Sequence, residues 1–260
     1  MNVVVAIKKV VDTSEAADVV EVDAAGKDIS KAGLVSRLND WDGYALEEGL
    51  RWREKLGGTA TALTVGPRDW DDVLRTALAM GADAAVRVDE DAASMDCRSV
   101  ARILATAIGK LPHDLVLFGA QSEDFGSAQL GPMVAQMLGL PHATLVVGLD
   151  VNDDRVHVSR EIEGGARELY TLTLPALLTI QTGLNRPRYV SFSRIKRARE
   201  KEIGVTTLHE LGLSSADLVP SVTLERLELT PAGRRAMLIS GNPEEAAGAL
   251  ATLLKESGVI

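Results

Sequence analysis

The sequence of 260 residues holds one cysteine, Cys97, and four histidines, His113, His142, His157 and His209, with no ligand-like spacing among them. A lone thiol excludes an internal disulfide framework and any Cys-based zinc or iron–sulfur centre. Aromatic residues make up only 3% of the chain. The core must therefore be filled by Val, Leu, Ile and Ala, the usual filling of a parallel sheet covered by helices. Basic residues are outnumbered: 28 Lys and Arg against 37 Asp and Glu leave a net charge of −9. That is the wrong sign for a general nucleic-acid binder. The chain lacks an apolar run of about 18 residues, so no membrane insertion is expected. The apolar start at residues 3–7 is too short for a signal peptide and runs into Lys8 and Lys9. The expectation is a soluble, cytoplasmic protein.

Catalytic signatures are missing too. There is no G-x-x-x-x-G-K-[ST] phosphate loop, no G-x-S-x-G elbow, no H-E-x-x-H and no G-x-G-x-x-G after a strand. Paired acids at Glu47–Glu48, Asp71–Asp72 and Glu244–Glu245 read as solvated helix faces or dipole compensation. Cys97, beside Asp96 at a helix start, reads as an inert small apolar residue rather than a reactive thiol. Nothing resembles a nucleophile–base pair. A nucleotide site without catalytic groups points to a structural or regulatory nucleotide, or to a redox cofactor that carries its own chemistry.

What is present is 46% apolar sequence in alternating strand and helix patterns. Strands are expected at 2–7, 59–65, 84–88 and 114–118, with a hairpin around Ala25–Gly26. Helices are expected at 44–55, 68–80, 96–110 and 128–138. The first is capped by Asn39 or Asp40 and stopped by Gly57–Gly58; the last is capped by Ser127. This alternation predicts an α/β fold with a mainly parallel sheet and helices on both faces. Beyond Pro141, strands at 143–150, 156–161 and 166–174 add antiparallel structure, and 175–180 reads as a further buried strand. The division expected is 1–202 for the α/β domain and 203–260 for an extended C-terminal arm packing on a partner subunit. The arm includes a short helix at 206–213, strand-like sequence within 218–230 and a capped helix at 242–256.

Ligands of such sheets bind beyond the carboxyl ends of strands, where strand order reverses. The loops at 6–10, 39–42, 65–67 and 119–129 can converge there. The stretch 114–132, DLVLFGAQSEDFGSAQLGP, is the strongest of these. It runs from a buried strand through Gly119 and Gly126 into a helix, and free N–H groups at such a helix start favour an anion. The competing reading is an ordinary βα turn. Residues 185–199 carry six basic residues, 186, 188, 194, 196, 197 and 199, in an acidic chain. Tyr189 and Phe192 lie among them, which favours a docking knob over a merely solvated face.

In order and over nearly its whole length, the sequence resembles the β subunit of electron transfer flavoprotein, the family that includes the FixA proteins. The matching pieces are VAIKKVVDT, LNDWDGYALEEGLRWREK, LTVGP, LRTALAMGADAAVRV, DLVLFGAQSEDFGSAQLGP, VSREIEGGARELYTLTLPALLTI and LNRPRYVSFSRIKRA. LNDWD and GAQSEDFGSAQ look closest to the bacterial subgroup serving trimethylamine dehydrogenase-like partners. The resemblance implies an adenine nucleotide alpha hydrolase-like fold and a heterodimer with an α subunit. It also implies an electron carrier rather than an enzyme. One FAD, held mainly by α, would pass electrons from flavin-containing dehydrogenases to a downstream acceptor, while AMP sits in the β subunit's own crevice. Carried over by position, the nucleotide contacts are Ala6, Asn39, Asp40, Trp41, Asp42, Val65, Phe118, Gly119, Gln121, Asp124, Phe125, Gly126, Ser127, Ala128 and Gln129. The partner-recognition positions are Arg188, Tyr189, Phe192 and Ile195, with Phe192 where the family usually has Leu. Electron-bifurcating relatives carry a second FAD in place of AMP and read QAIDGDTAQVGP where this chain reads QSEDFGSAQLGP. Phe125 at a Gly position restricts the space for a second flavin, so AMP is the expected occupant and a second FAD the alternative. A stand-alone nucleotide-sensing module is the other alternative, though it has no use for the basic segment or the arm.

Overall fold

A computed structural model describes residues 1–12, 20–31, 33–92, 95–229 and 237–260. Thr13, at the end of the first matching segment, and Thr230, at the end of the strand-like stretch, lie outside the described residues. The chain forms two compact units: residues 1–20 with 30–225, and residues 21–29 with 226–260.

The larger unit is built on a nine-stranded sheet. An interior strand, β1 (Asn2–Ala6), is followed by a two-stranded ribbon of β2 (Lys9–Val11) and β3 (Ser36–Leu38) and then by α1 (Asp40–Leu56). Next come β4 (Thr59–Gly66), α2 (Asp71–Met80), β5 (Ala84–Asp89), α3 (Cys97–Gly109), β6 (Leu115–Gly119) and α4 (Leu130–Leu138). The antiparallel addition is β7 (His142–Asn152), β8 (Arg155–Glu161) and β9 (Arg167–Thr173), and β10 (Ala176–Ile180) follows. The unit ends with α5 (Phe192–Glu200), β11 (Gly204–Thr206) and α6 (Leu208–Leu211). The spatial order is β11-β5-β4-β1-β6-β10-β7-β8-β9, with every pair parallel except β7–β8 and β8–β9.

Helices cover both faces because the central strands are apolar on both. Val3 and Val5 pack with Leu46 and Leu50 of α1 and Leu74 of α2, whereas Val4 and Ala6 pack with Ile103 of α3 and Val134 of α4. Side chains alternate across a strand, so one uninterrupted valine run supplies two cores. Gly131 lets α4 sit directly on β10: an added Cβ would strike the Thr179 side chain.

Several expectations need correcting. β10 inserts between β6 and β7, which chain order does not reveal. The helix expected from residue 128 begins at Leu130, because Ala128 adopts a left-handed backbone with φ 53°. Ser127 is therefore not its N-cap. The stretch VTLERLEL, residues 222–229, forms no strand, and Val222, Leu224 and Leu229 are exposed. The boundary expected at residue 203 moves to 225. β11 pairs with β5, and Leu211 and Leu218 are buried in the α3 core.

The smaller unit holds the expected hairpin, closed by the Val22–Ile29 bridge with Gly26 at φ 66°. The Leu227 N–H donates to Gly26 O at 2.8 Å. Its helix α7 (Pro243–Glu256) has the expected Asn242 cap, with Glu245 completing a capping box, and none of its residues is buried.

Candidate functional site

The central strands part at their carboxyl ends. β1 pairs with β6 only as far as Val5 and Leu117. Beyond that point β1 stays with β4, through Ile7 N–H to Leu63 O at 2.9 Å and Thr64 Oγ1 to Ile7 O at 2.7 Å. β6 stays instead with β10, through Ala120 N–H to Ile180 O at 2.8 Å. Strand order also reverses here: the chain runs from β1 out to β5 and returns on the other side with β6. The gap between them is the kind of crevice in which open parallel sheets bind ligands.

The first turn of α1 enters this gap. Asn39 is fully buried; its Nδ2 donates to Gln121 O at 2.9 Å and its Oδ1 accepts the Glu123 N–H at 3.1 Å. It occupies the N-cap position, yet its side chain makes no cap bond. That role passes to Glu123, whose Oε1 accepts the Asp40 N–H at 3.1 Å. Trp41 donates from Nε1 to Gln181 Oε1 at 3.0 Å. Asp42 accepts the Lys8 N–H at 2.8 Å and the Gly119 N–H at 3.1 Å. Burial pushes its carboxyl up to about 7, against the opposing pull of Asn39, the two N–H groups and the Lys8 charge. Gly119 must be glycine, because an added Cβ would stand 2.7 Å from Trp41 Cβ.

The loop from 121 to 129 is held over the crevice by ions. Lys8 Nζ pairs with Asp124 at 2.6 Å and lies 4.5 Å from the centre of the Phe125 ring, which is 69% exposed. Arg37 joins Glu123 at 3.0 Å, Asp12 at 3.1 Å and Asp40. Ser127 is within hydrogen-bonding reach of Cys97, whose thiol is pushed up mainly by burial, the direction opposite to activation. Among the described residues, no acceptor meets the N–H groups of Ser127, Ala128, Gln129, Leu130 or Gly131. These donors run through an exposed loop into the α4 N-terminus, a setting that favours an anion.

Of the carried-over positions, Asn39 to Asp42, Gly119, Gln121 and Asp124 to Gln129 border this gap or its covering loop. Ala6, Val65 and Phe118 are buried at strand ends, with side chains in the α3/α4 core, so they offer only a floor. Lys8 and Glu123 lie in loops expected to converge here but were given no individual role, while Arg37 and Gln181 lie outside those loops and carry no local signal.

A second assembly lies along α1. Glu47 and Glu48, expected to be solvated, are each only 5% exposed. Glu47 chelates Arg188 at 2.8 and 3.1 Å and also accepts the Arg188 N–H. Glu54 takes the remaining edge of the guanidinium at 2.7 and 3.2 Å. Together these carboxylates hold the Arg188 charge more firmly than usual. Glu48 holds Asn185 at 2.9 Å and Trp52 at 2.8 Å. Further along, Arg75 donates to Ala198 O at 2.7 Å, and Lys201 Nζ to Ala82 O at 3.0 Å. Arg188 is thus engaged within the chain rather than facing outward. Tyr189 and Phe192 stand 90% and 80% exposed, and Ile195 is partly exposed beside them.

Residues 27–211 match the electron transfer flavoprotein domain. The chain belongs to the electron transfer flavoprotein β-subunit family. It is 37% identical to "Electron transfer flavoprotein subunit beta" of Bacillus subtilis, over the full length of both chains. The subunit of the same name from Methylophilus methylotrophus is 36% identical over 98% of each chain. The "Caffeyl-CoA reductase-Etf complex subunit CarD" of Acetobacterium woodii is 33% identical over the full length of both. Membership places the chain in electron transport, as a flavoprotein subunit. These near-equal identities do not single out the trimethylamine dehydrogenase subgroup. Among the described residues, no helix is long and apolar enough to cross a membrane.

Proposed function

We propose that this chain is the β subunit of a heterodimeric electron transfer flavoprotein, with AMP in the crevice between β1 and β6 and FAD held mainly by the α subunit. The observation that carries the AMP assignment is the run of five donors from Ser127 to Gly131 without acceptors among the described residues. A phosphate fits that cradle, because backbone N–H groups at a helix start bind anions without needing a spare cation. Lys8 is already occupied by Asp124. The flavin supplies the one-electron chemistry when bound. This chain's residues hold the nucleotide loop and present a docking segment. The partners in that role are flavin-containing dehydrogenases on one side and a downstream acceptor on the other, with Tyr189, Phe192 and Ile195 as the contact residues. The smaller unit, with its uncovered α7 and exposed Leu250 and Leu253, is assigned to the α subunit.

Co-purification with the α subunit, followed by acid extraction of nucleotides, tests this reading. One AMP and one FAD per heterodimer are expected. Two FAD and no AMP would assign the chain to the bifurcating branch instead. A stable homodimer of the lone chain that binds ATP and no flavin would replace the carrier reading with a sensor.

A further inference from the structure

One carboxylate stands where β1 and β6 part. Here β1 and β6 stop pairing at Val5 and Leu117, while each keeps its other neighbour. The carboxylate of Asp42 stands where they part. Oδ2 takes the Lys8 N–H from the β1 side at 2.8 Å, and Oδ1 takes the Gly119 N–H from the β6 side at 3.1 Å. The residue is 7% exposed. Gly119 has no room for a Cβ because Asp42 and Trp41 fill that space. An acceptor-only group is required: two inward-pointing N–H groups on diverging strands cannot satisfy each other, and a carboxylate accepts from both.

We propose that Asp42 is a positioning residue, a wedge whose ionised carboxylate sets the width of the β1/β6 crevice and so the residence time of the nucleotide within it. This rests on the reading of the crevice as the AMP site. Both oxygens are committed to the backbone, so Asp42 acts on the ligand through strand geometry rather than by touching it. Among the described residues, the charged groups facing it are few. Lys8 contributes its ammonium from the β1 end, partly neutralised by Asp124. Glu123 lies against the first turn of α1 and is held by Arg37. Asn39, which is neutral, bonds to the carboxylate. The β6 end, at Phe118 and Gly119, carries no charge.

Protonation places a hydrogen on one oxygen and turns that acceptor into a donor facing an N–H, so one of the two ties is lost. Asp42→Asn imposes the same change at every pH, since the amide NH2 cannot accept. The experiment uses the intact heterodimer, in which release of bound AMP into a chase of excess labelled AMP is timed between pH 5.5 and 8.5. In the native protein, release should slow as pH rises through neutrality. Asp42→Asn should release roughly tenfold faster at pH 8, the loss expected when a charge-assisted hydrogen bond is removed. Its profile should lack the native transition, which separates this effect from titration of the AMP phosphate. Amide hydrogen exchange at Lys8 and Gly119 supplies a ligand-independent readout: both protected in the native protein at pH 8, one exposed in Asp42→Asn. If the variant melts too low to study, the native pH profile of those two amides carries the test alone. Equal release rates and equal protection in native and variant proteins would overturn the wedge. Protection that responds as described in a heterodimer containing no AMP would leave the wedge standing and remove the nucleotide assignment instead.

Discussion

Asp42 places a carboxylate where burial disfavours its charge, and the consequence is a pH-dependent stability with a definite sign. Its folded-state value is raised to about 7 from 3.8, so the folded protein holds this proton more tightly than the unfolded chain does. The stabilisation is therefore complete below about pH 4 and lost as pH rises through 7, a change on the order of 4 kcal/mol for this group alone. Relative to Asp42→Asn, which has no such titration, the melting temperature of the native protein should fall between pH 5 and pH 8. Parallel melting curves at those two values check it, and a constant difference would contradict the assignment. Gly119→Ala should cost about 2–3 kcal/mol, because its Cβ would force Trp41 away from the end of β6; thermal unfolding reads this directly. Asn39, Asp42 and Gly119 were legible in the sequence as candidates, through position and family likeness. Their side-chain roles were not. A local reading makes Asn39 a helix cap, but its partners are Gln121 and Glu123, more than eighty positions away.

At the level of elements, α1 joins two regions. Its first turn enters the crevice, and two turns later Glu47 and Glu48 tie down the segment bearing Arg188 and Asn185. The doubled acids looked like a solvated face because helical spacing alone cannot show that an arginine 141 residues later folds back onto them. Glu47→Gln removes one partner of a largely buried pair and should lower stability by about 2–3 kcal/mol. It should also reduce electron uptake from a dehydrogenase, because the segment presenting Tyr189 and Phe192 is loosened. Phe192→Ser, at an exposed position, should reduce that uptake with no change in melting temperature. Stopped-flow reduction of the heterodimer, with nucleotide content as control, separates the two. Equal uptake by native and Phe192→Ser proteins would remove this face from docking. The central parallel strands β1, β4, β5, β6 and β10 were readable because each is a short, largely apolar run, whereas the three-residue strands β2, β3 and β11 were not. The start of α4 was not readable, since a left-handed Ala128 has no signature in sequence. Nor was the insertion of β10 between β6 and β7, because pairing order is set by packing rather than by any local pattern.

On the scale of the whole molecule, the distribution of charge matters more than its sum. The chain carries −9 overall, yet α5 and the turn before it expose Arg186, Arg194, Lys196, Arg197 and Arg199 beside Tyr189 and Phe192. On the docking proposal, such a patch attracts and orients an acidic partner surface, and the apolar pair supplies the contact once water is excluded. The composition revealed the patch directly, whereas the boundary of the arm was misplaced by some twenty residues. Gly204–Thr206 is too short to announce itself as a strand and becomes one only against the edge of β5. The steering reading makes a quantitative demand on kinetics. Exposed charges are screened over about 8 Å at physiological ionic strength, so raising salt should slow the second-order reduction of the heterodimer by its dehydrogenase. The rate at saturating dehydrogenase should change little, since the docked geometry is set by the apolar contact. Replacing Lys196 and Arg197 with Glu should flatten or reverse the salt dependence and lower the low-salt association rate by about tenfold or more. Stopped-flow measurements from 20 mM to 500 mM salt, on native and double-variant heterodimers, decide it: parallel slopes would mean that the basic helix is ordinary solvated surface and that Tyr189 and Phe192 dock without electrostatic guidance.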